Sequence, residues 1–436
     1  MSKSFLEVNR EVDLTYKKPY SKNGIIALCC IVYFVSYFSR KDFAAVMAGM
    51  IYDGSVSRTN AGLIGTMLFA FYGAGQLISG YLGDKIKPKY LLLMGLAVTA
   101  LCNTLMPLIP EGAMIAIWGI NGLAQAMLWP PIVKILSSYL DHKTYVTAHL
   151  LVTSAAHVAT VLLYAYVPIC LSFMNWQTVF YTASALAMCS VVIFIIAMRT
   201  VLPNDAEIFD ASTGAKTSAC DATVEQNDEK LLTVLRKSGV FTIFICIIAI
   251  GFLRDGIESW LPMLYSEVFD KDVSESTLVS MILPIFSVIS ITVVTALHRK
   301  GVLRNEVSGS AILFAFSLIL AIPLVFFVGM NGAFFRVFAL LLTAFICAAM
   351  HGINFLLISC LPGRFATIGR SATVSGVCNS CVYIGAAIST YGIALISKYM
   401  GWTATIISWC GIIAIGILFA LLSYKKYTAL VKKDNE

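Results

Sequence analysis

Arg40 and Arg254 lie near the centres of two long apolar segments, one in each half of a 436-residue chain. A guanidinium stays charged in a protein, and a charge at the centre of a bilayer costs roughly 3 kcal/mol or more. Two arginines at matching places imply an anion held on the central axis, gripped by their paired N–H donors. Tyr33, Tyr37 and Arg40 follow an i, i+4, i+7 spacing, which sets them on one helical face. Phenols beside a guanidinium suit a multi-oxygen anion, since each donates a hydrogen bond. The other reading of this face is aromatic packing with Arg40 paired to an acid. Tyr72 and Gln76 stand four apart in the second apolar segment, and His157 is mid-way along the fifth. An imidazole there is a structural hydrogen bonder or a ligand that responds to pH. The seventh segment carries Arg254-Asp255 and, one turn on, Glu258; the tenth carries His351 and Asn354, and the eleventh Asn379 and Tyr383. Asp42, Asp255 and Glu258 lie beside the basic residues, as candidates for taking up a proton or tuning the charge. A pair of Arg254 with Asp255 or with Glu258 would partly neutralise the site.

These groups need helices that cross a bilayer. The chain is 58% hydrophobic and 13% charged, against about 45–50% and about 25% in soluble domains. That composition predicts an all-α polytopic membrane protein. Apolar stretches near 24–51, 61–83, 90–109, 113–140, 145–172, 176–201, 240–266, 275–297, 308–329, 332–361, 370–396 and 402–424 read as 12 transmembrane helices. The polar stretch 203–238 divides them into a six-helix half over 1–202 and another over 239–436, with a central cytoplasmic loop between. With both termini inside, the cytoplasmic segments hold 23 of the 31 Lys and Arg residues; the outer loops hold Arg58, Lys271, Arg336 and Lys398. Insertion thus explains the net charge of +7, and a nucleic-acid role drops out. The first 23 residues show no removable signal peptide, so the first span serves as its own insertion signal. The 12 cysteines are scattered, many in apolar runs, and read as small hydrophobes. Cys378 and Cys381 form a CxxC spacing without a companion pair, which does not make a zinc site. No nucleophile–base pattern, metal-ligand cluster, phosphate-cradling glycine loop or ATP-binding motif is present, so the chain is not read as an enzyme. No cofactor is expected, and any transport is driven by gradients.

Two parallel sets of six helices suggest a transporter built from repeats. The segment Gly80-Tyr-Leu-Gly-Asp-Lys-Ile-Lys-Pro-Lys89 resembles the signature of the major facilitator superfamily. Gly80 allows close helix approach, and Asp84 with Lys85 and Lys89 forms an expected ion-pair latch between conformations. The matching segment of the second half, His298-Arg-Lys-Gly-Val, lacks the aspartate.

More specifically, Tyr33-Phe-Val-Ser-Tyr-Phe-Ser-Arg-Lys-Asp-Phe43 resembles the first-span motif of the organophosphate:phosphate antiporters, which include the glycerol-3-phosphate and hexose-phosphate transporters. Phe252-Leu-Arg-Asp-Gly-Ile-Glu-Ser-Trp-Leu-Pro262 resembles their seventh-span motif, Trp129-Pro130-Pro131 their fourth, and Ala156-His157 falls where they carry a fifth-span histidine. The resemblance implies a secondary transporter that exchanges a phosphate ester for inorganic phosphate by alternating access. Arg40 and Arg254 would then hold the phosphoryl group, His157 would add a hydrogen bond, and Tyr33, Tyr37, Tyr72 and Gln76 would line the cavity. Gln76 replaces the family's cavity lysine and Pro284 falls near its eighth-span carboxylate. That less positive cavity also suits another small organic anion carried with a proton. A sugar-phosphate-sensing receptor on the same fold is the third reading. By analogy with the fold the protein is a monomer, multi-pass in a plasma membrane or bacterial inner membrane.

Overall fold

A computed structural model describes residues 21–200, 239–303, 305–330, 332–365 and 371–433. Twelve helices among them are long and apolar enough to cross a membrane: Lys22–Tyr52, Arg58–Ser79, Pro88–Leu108, Glu111–Tyr139, Thr147–Phe173, Trp176–Ala197, Val240–Phe269, Val273–Arg299, Glu306–Phe327, Ala333–Phe365, Val374–Tyr399 and Gly401–Ala429. They are spans 1 to 12 below, and they match the expected twelve to within a few residues. The expected central loop lies outside the described residues. So do the side chains of Gly80, Asp84 and Lys85, although the second helix continues to Lys85. Lys89 holds its ammonium 5.0 Å from the Tyr90 ring centroid.

Local chemistry starts and interrupts the helices. Ser21, Asp141, Asp272 and Asn305 cap helix N-termini by accepting backbone N–H groups. Asp141 also accepts from Lys22 at 2.9 Å, which holds its carboxyl below the usual carboxylate range. Span 4 breaks after Ala126 and restarts at Trp129, where Pro130 and Pro131 fit a first turn that needs no donors. Span 8 breaks at Met281, because Pro284 has no N–H for the preceding turn. Span 10 widens to a π-helix over Phe355–Cys360 and tightens to 3-10 over Leu361–Phe365, around Pro362.

Packing reveals the repeat. Spans 1 and 5, 2 and 4, 3 and 4, 3 and 6, and 1 and 6 pack together; so do 7 and 11, 8 and 10, 9 and 10, 9 and 12, and 7 and 12. Each pair in the first six-span set has its counterpart six spans later. The sets meet through span 2 on span 11 and span 5 on span 8, which are again counterparts, with spans 1 and 7 touching between them.

Without water to drive helix association in a bilayer, close backbone approach matters. A Cβ on Gly251 would stand 1.9 Å from the Val382 carbonyl oxygen, and one on Gly385 would stand 2.0 Å from that of Ile248. Spans 7 and 11 thus meet backbone to backbone.

The two ends of the bundle differ. At the Tyr52 end, polar contacts fasten the two sets together. Arg58 pairs with Glu267, Lys398 reaches Thr59 at 3.2 Å, and Ser172 donates to Ser274 at 3.3 Å. At the Lys22 end, the Lys22–Asp141 pair stays within one set. Glu306, buried on span 9, accepts from Arg364 at 2.9 Å and from Tyr427 at 3.0 Å, tying spans 9, 10 and 12 of the other set together.

Gly251→Ala is expected to cost about 3 kcal/mol or more, since the obstructing atom is backbone and cannot rotate away. Thermal unfolding in detergent checks this. Gly112→Ala, where nothing lies within 4 Å, should unfold like the wild type; equal melting of both variants would contradict the packing.

Candidate functional site

Span 1 is polar only in mid-course. Tyr33, Arg40, Lys41 and Asp42 are buried in a helix that is otherwise mostly apolar. The Arg40 guanidinium lies over two rings, 4.2 Å from the Tyr37 centroid and 4.8 Å from that of Tyr72. Among the described residues it has no carboxylate partner. Cation–π contacts are worth about 2 kcal/mol when desolvated, less than the several kcal/mol that burying an ion costs. Arg40 is therefore a cation in want of an anion, and the reading in which an acid of the protein neutralises it is not what forms.

An aromatic wall surrounds it. Tyr33 meets Tyr37 edge-on at 5.0 Å and Trp129 at 4.7 Å. Tyr72 packs on Tyr383 of span 11 at 4.4 Å, so the wall crosses from one six-span set to the other. Gln76 points away, its amide 3.4 Å from the Ala126 carbonyl oxygen. His157 returns Nδ1 to the Thr153 carbonyl one turn back, at 2.9 Å. Among the described residues its other ring nitrogen makes no hydrogen bond.

Arg254 is held differently. It donates to Asp255 at 2.6 Å and to Asn354 at 2.9 Å. Of the two acids expected beside Arg254, Asp255 makes the ion pair; Glu258 turns to Lys41 instead, at 2.6 Å. Asp255 lies 3.6 Å from the same ammonium. His351 contacts the second Glu258 oxygen at 2.7 Å, and Tyr164 donates to the Glu258 backbone carbonyl at 3.1 Å. Lys41 thus joins span 1 to span 7 in the middle of the bundle. A small pocket adjoins this network on its Tyr52 side, lined by Arg40, Lys41, Phe69, Trp118, Ser259 and Thr390 among others.

Three cations thus face two carboxylates here. Tyr383 packs on Tyr72, which the Arg40 guanidinium faces, and Arg254 pairs with Asp255 beside the Lys41 ammonium, so the two guanidinium groups flank one polar cluster. Glu258, Cys347 and His351 bring ligand-type atoms within 4.8 Å of one another. The Lys41 ammonium on the same carboxylate and Arg254 beside it repel a metal cation, so this cluster is an ion-pair network. Sequence reasoning missed Lys41 as a member of the site and Tyr383 as its opposing wall. The available signal was a third basic residue at bilayer depth, with two acids opposite it in span 7.

Lys41→Met strands the Glu258 carboxylate in the interior and is expected to cost about 3–5 kcal/mol. Adding Glu258→Gln should restore most of it. Denaturation of the two single variants and the double variant checks this, and simple additivity would mean that the two side chains do not interact.

Comparison with known proteins places this geometry in a family. The model of the Major Facilitator Superfamily matches residues 29–390. A probable hexose phosphate transport protein of Chlamydia pneumoniae is 30% identical over 138 residues, 31% of this chain and 30% of that protein. The membrane sensor protein UhpC of Escherichia coli (strain K12) is 27% identical over 130 residues, 30% of this chain and 29% of that one. The glycerol-3-phosphate transporter of Bacillus subtilis (strain 168) is 24% identical over 245 residues, 53% of this chain and 54% of that one. The chain thus spans from about a third to about half of the length of these curated relatives. Among solved structures, a bacterial homolog of the human lysosomal transporter Spinster superimposes with a TM-score of 0.69 at 14% identity, covering 95% of this chain and 97% of that one. A peptide transporter POT in complex with sulfate gives 0.66 at 13%, covering 93% and 94%. With twelve spans in two matching sets and a family match across most of its length, the chain belongs to the Major Facilitator Superfamily.

Proposed function

We propose that this protein is a secondary transporter of small organic anions, foremost a phosphate ester of a sugar or of glycerol, exchanged for inorganic phosphate by alternating access. The observation that carries this is the buried, uncompensated Arg40 guanidinium, set on one six-span set with Arg254 on the other. A phosphoryl group bridging them satisfies both forks and draws the two sets together. An empty site leaves a net positive charge at the interface and disfavours closure, which favours exchange over net leak. The hexose phosphate and glycerol-3-phosphate transporters among its relatives support the substrate class.

The excess of basic residues supports an orientation with both termini in the cytoplasm of a bacterial inner membrane. The fastened Tyr52 end then faces outward. The likeness to UhpC supports a second reading, in which the protein senses a sugar phosphate and signals its presence. A monomer is sufficient for either role.

The test is uptake of labelled phosphate into phosphate-loaded proteoliposomes, with glycerol-3-phosphate and glucose-6-phosphate as competitors. Exchange inhibited by one of the esters and lost in Arg254→Ala supports the proposal. Saturable ester binding without exchange favours the sensor; neither binding nor exchange by folded protein overturns both.

Arg40→Lys is expected to weaken substrate binding about tenfold to a hundredfold, because a point charge cannot reproduce two parallel charge-assisted hydrogen bonds. Binding titration in detergent checks it, and unchanged affinity would remove Arg40 from the site.

A further inference from the structure

Span 1 carries one more ionisable group, which the anion site leaves unused. Asp42 is wholly buried. Its Oδ1 accepts the Phe43 backbone N–H at 2.7 Å, while Oδ2 has no partner among the described residues. One turn earlier, the Ser39 carbonyl accepts from Asn103 of span 3 and from Asn121 of span 4, each at 3.3 Å. Both asparagines keep a buried side-chain oxygen without a partner, and Trp118, whose ring packs on Phe43, keeps an unpartnered indole N–H. Of these unpartnered buried atoms, Asp42 Oδ2 and the two asparagine oxygens are acceptors and the Trp118 N–H is a donor.

Among the described residues no cation pairs with this carboxyl. Arg40 turns to its tyrosines and Lys41 to Glu258. The titratable groups on the surrounding spans have other partners or lie elsewhere. Tyr164 and Tyr166 of span 5 bond to Glu258 and Thr182, and His157 to Thr153. Glu111 of span 4 accepts the Ser57 N–H, while Lys134 and Tyr139 are toward its other end. Cys102 of span 3 and Cys170 of span 5 are buried thiols; Tyr181 and Cys189 of span 6 are exposed. An ionised carboxylate in such surroundings neutralises. The neutral acid fits them, because protonation removes the unpartnered charge from Oδ2.

We infer that Asp42 is a proton-binding site and that the proton and the transported anion bind together. This rests on the anion reading of the cavity. Ionised Asp42 places a negative charge two residues from Arg40 and opposes the anion; protonated Asp42 leaves Arg40 uncompensated and favours it. Linkage then requires that anion binding promote protonation by the same factor, on the order of tenfold. An inward proton gradient would then drive net uptake without internal phosphate, because Asp42, once ionised, lowers the positive charge that disfavours closure of the empty site.

The experiment compares wild type and Asp42→Asn, the isosteric stand-in for the protonated acid. Labelled phosphate uptake is measured by exchange into phosphate-loaded proteoliposomes and by an acid-outside gradient into vesicles without phosphate. Wild type should do both. Asp42→Asn should keep exchange and lose at least tenfold of the gradient-driven uptake. Exchange by the wild type without gradient-driven uptake, or gradient-driven uptake kept in Asp42→Asn, overturns the inference while leaving the anion site standing. A readout independent of transport and of the variant's folding is the infrared spectrum of wild-type protein at neutral pH. A protonated carboxyl stretch that shifts on carbon-13 labelling of aspartate supports the inference, and its absence overturns it.

Discussion

A charge taken out of water must find an opposite charge, and this requirement organises the centre of the molecule. Asp255 answers Arg254 and Glu258 answers Lys41. Each of these pairs offsets a desolvation cost of several kcal/mol per ion. Arg40 has only ring faces. The surplus positive charge therefore belongs to one side chain, and on the proposed function that side chain is where the anion binds. Lys41 and Glu258 join the two six-span sets nearby, and on the proposed function an anion bound there perturbs this pairing.

The fold positions these charges by repetition. Counterpart contacts recur six spans apart, so residues near the middle of span 1 and span 7 approach one axis. Backbone contact at Gly251 and Gly385 sets span 7 firmly on span 11, bringing Tyr383 opposite Tyr72. The contacts that join the sets gather at the Tyr52 end, while the Glu306 and Lys22 clusters brace each set by itself at the other. This arrangement suits two rigid bodies rocking about a central site.

Much of this was legible in the residues. Apolar runs located the twelve spans, because in a bilayer the backbone must satisfy itself within helices. The intramembrane arginines marked the candidate site, because their cost demands a reason. The breaks in spans 4, 8 and 10 follow from prolines that a hydropathy reading passes over. Pairing was less legible. Asp255 and Glu258 are both within a turn of Arg254, and helical spacing alone cannot say that Glu258 turns to Lys41 across the interface. Gln76 stands one turn from Tyr72, and helical spacing alone does not show that its amide reaches back to span 4. Asp42 sits two residues from Arg40, and only packing shows that its carboxyl is wholly buried, with one oxygen unpartnered among the described residues.

The central claim is that Arg40 supplies the unsatisfied charge that an anion answers. A structure of the protein with a bound phosphate ester tests it most directly. The account predicts a phosphoryl group within hydrogen-bond distance of the Arg40 guanidinium, with Arg254 on its opposite side. A phosphoryl group held elsewhere, with Arg40 still stacked on Tyr37 and Tyr72, would contradict it.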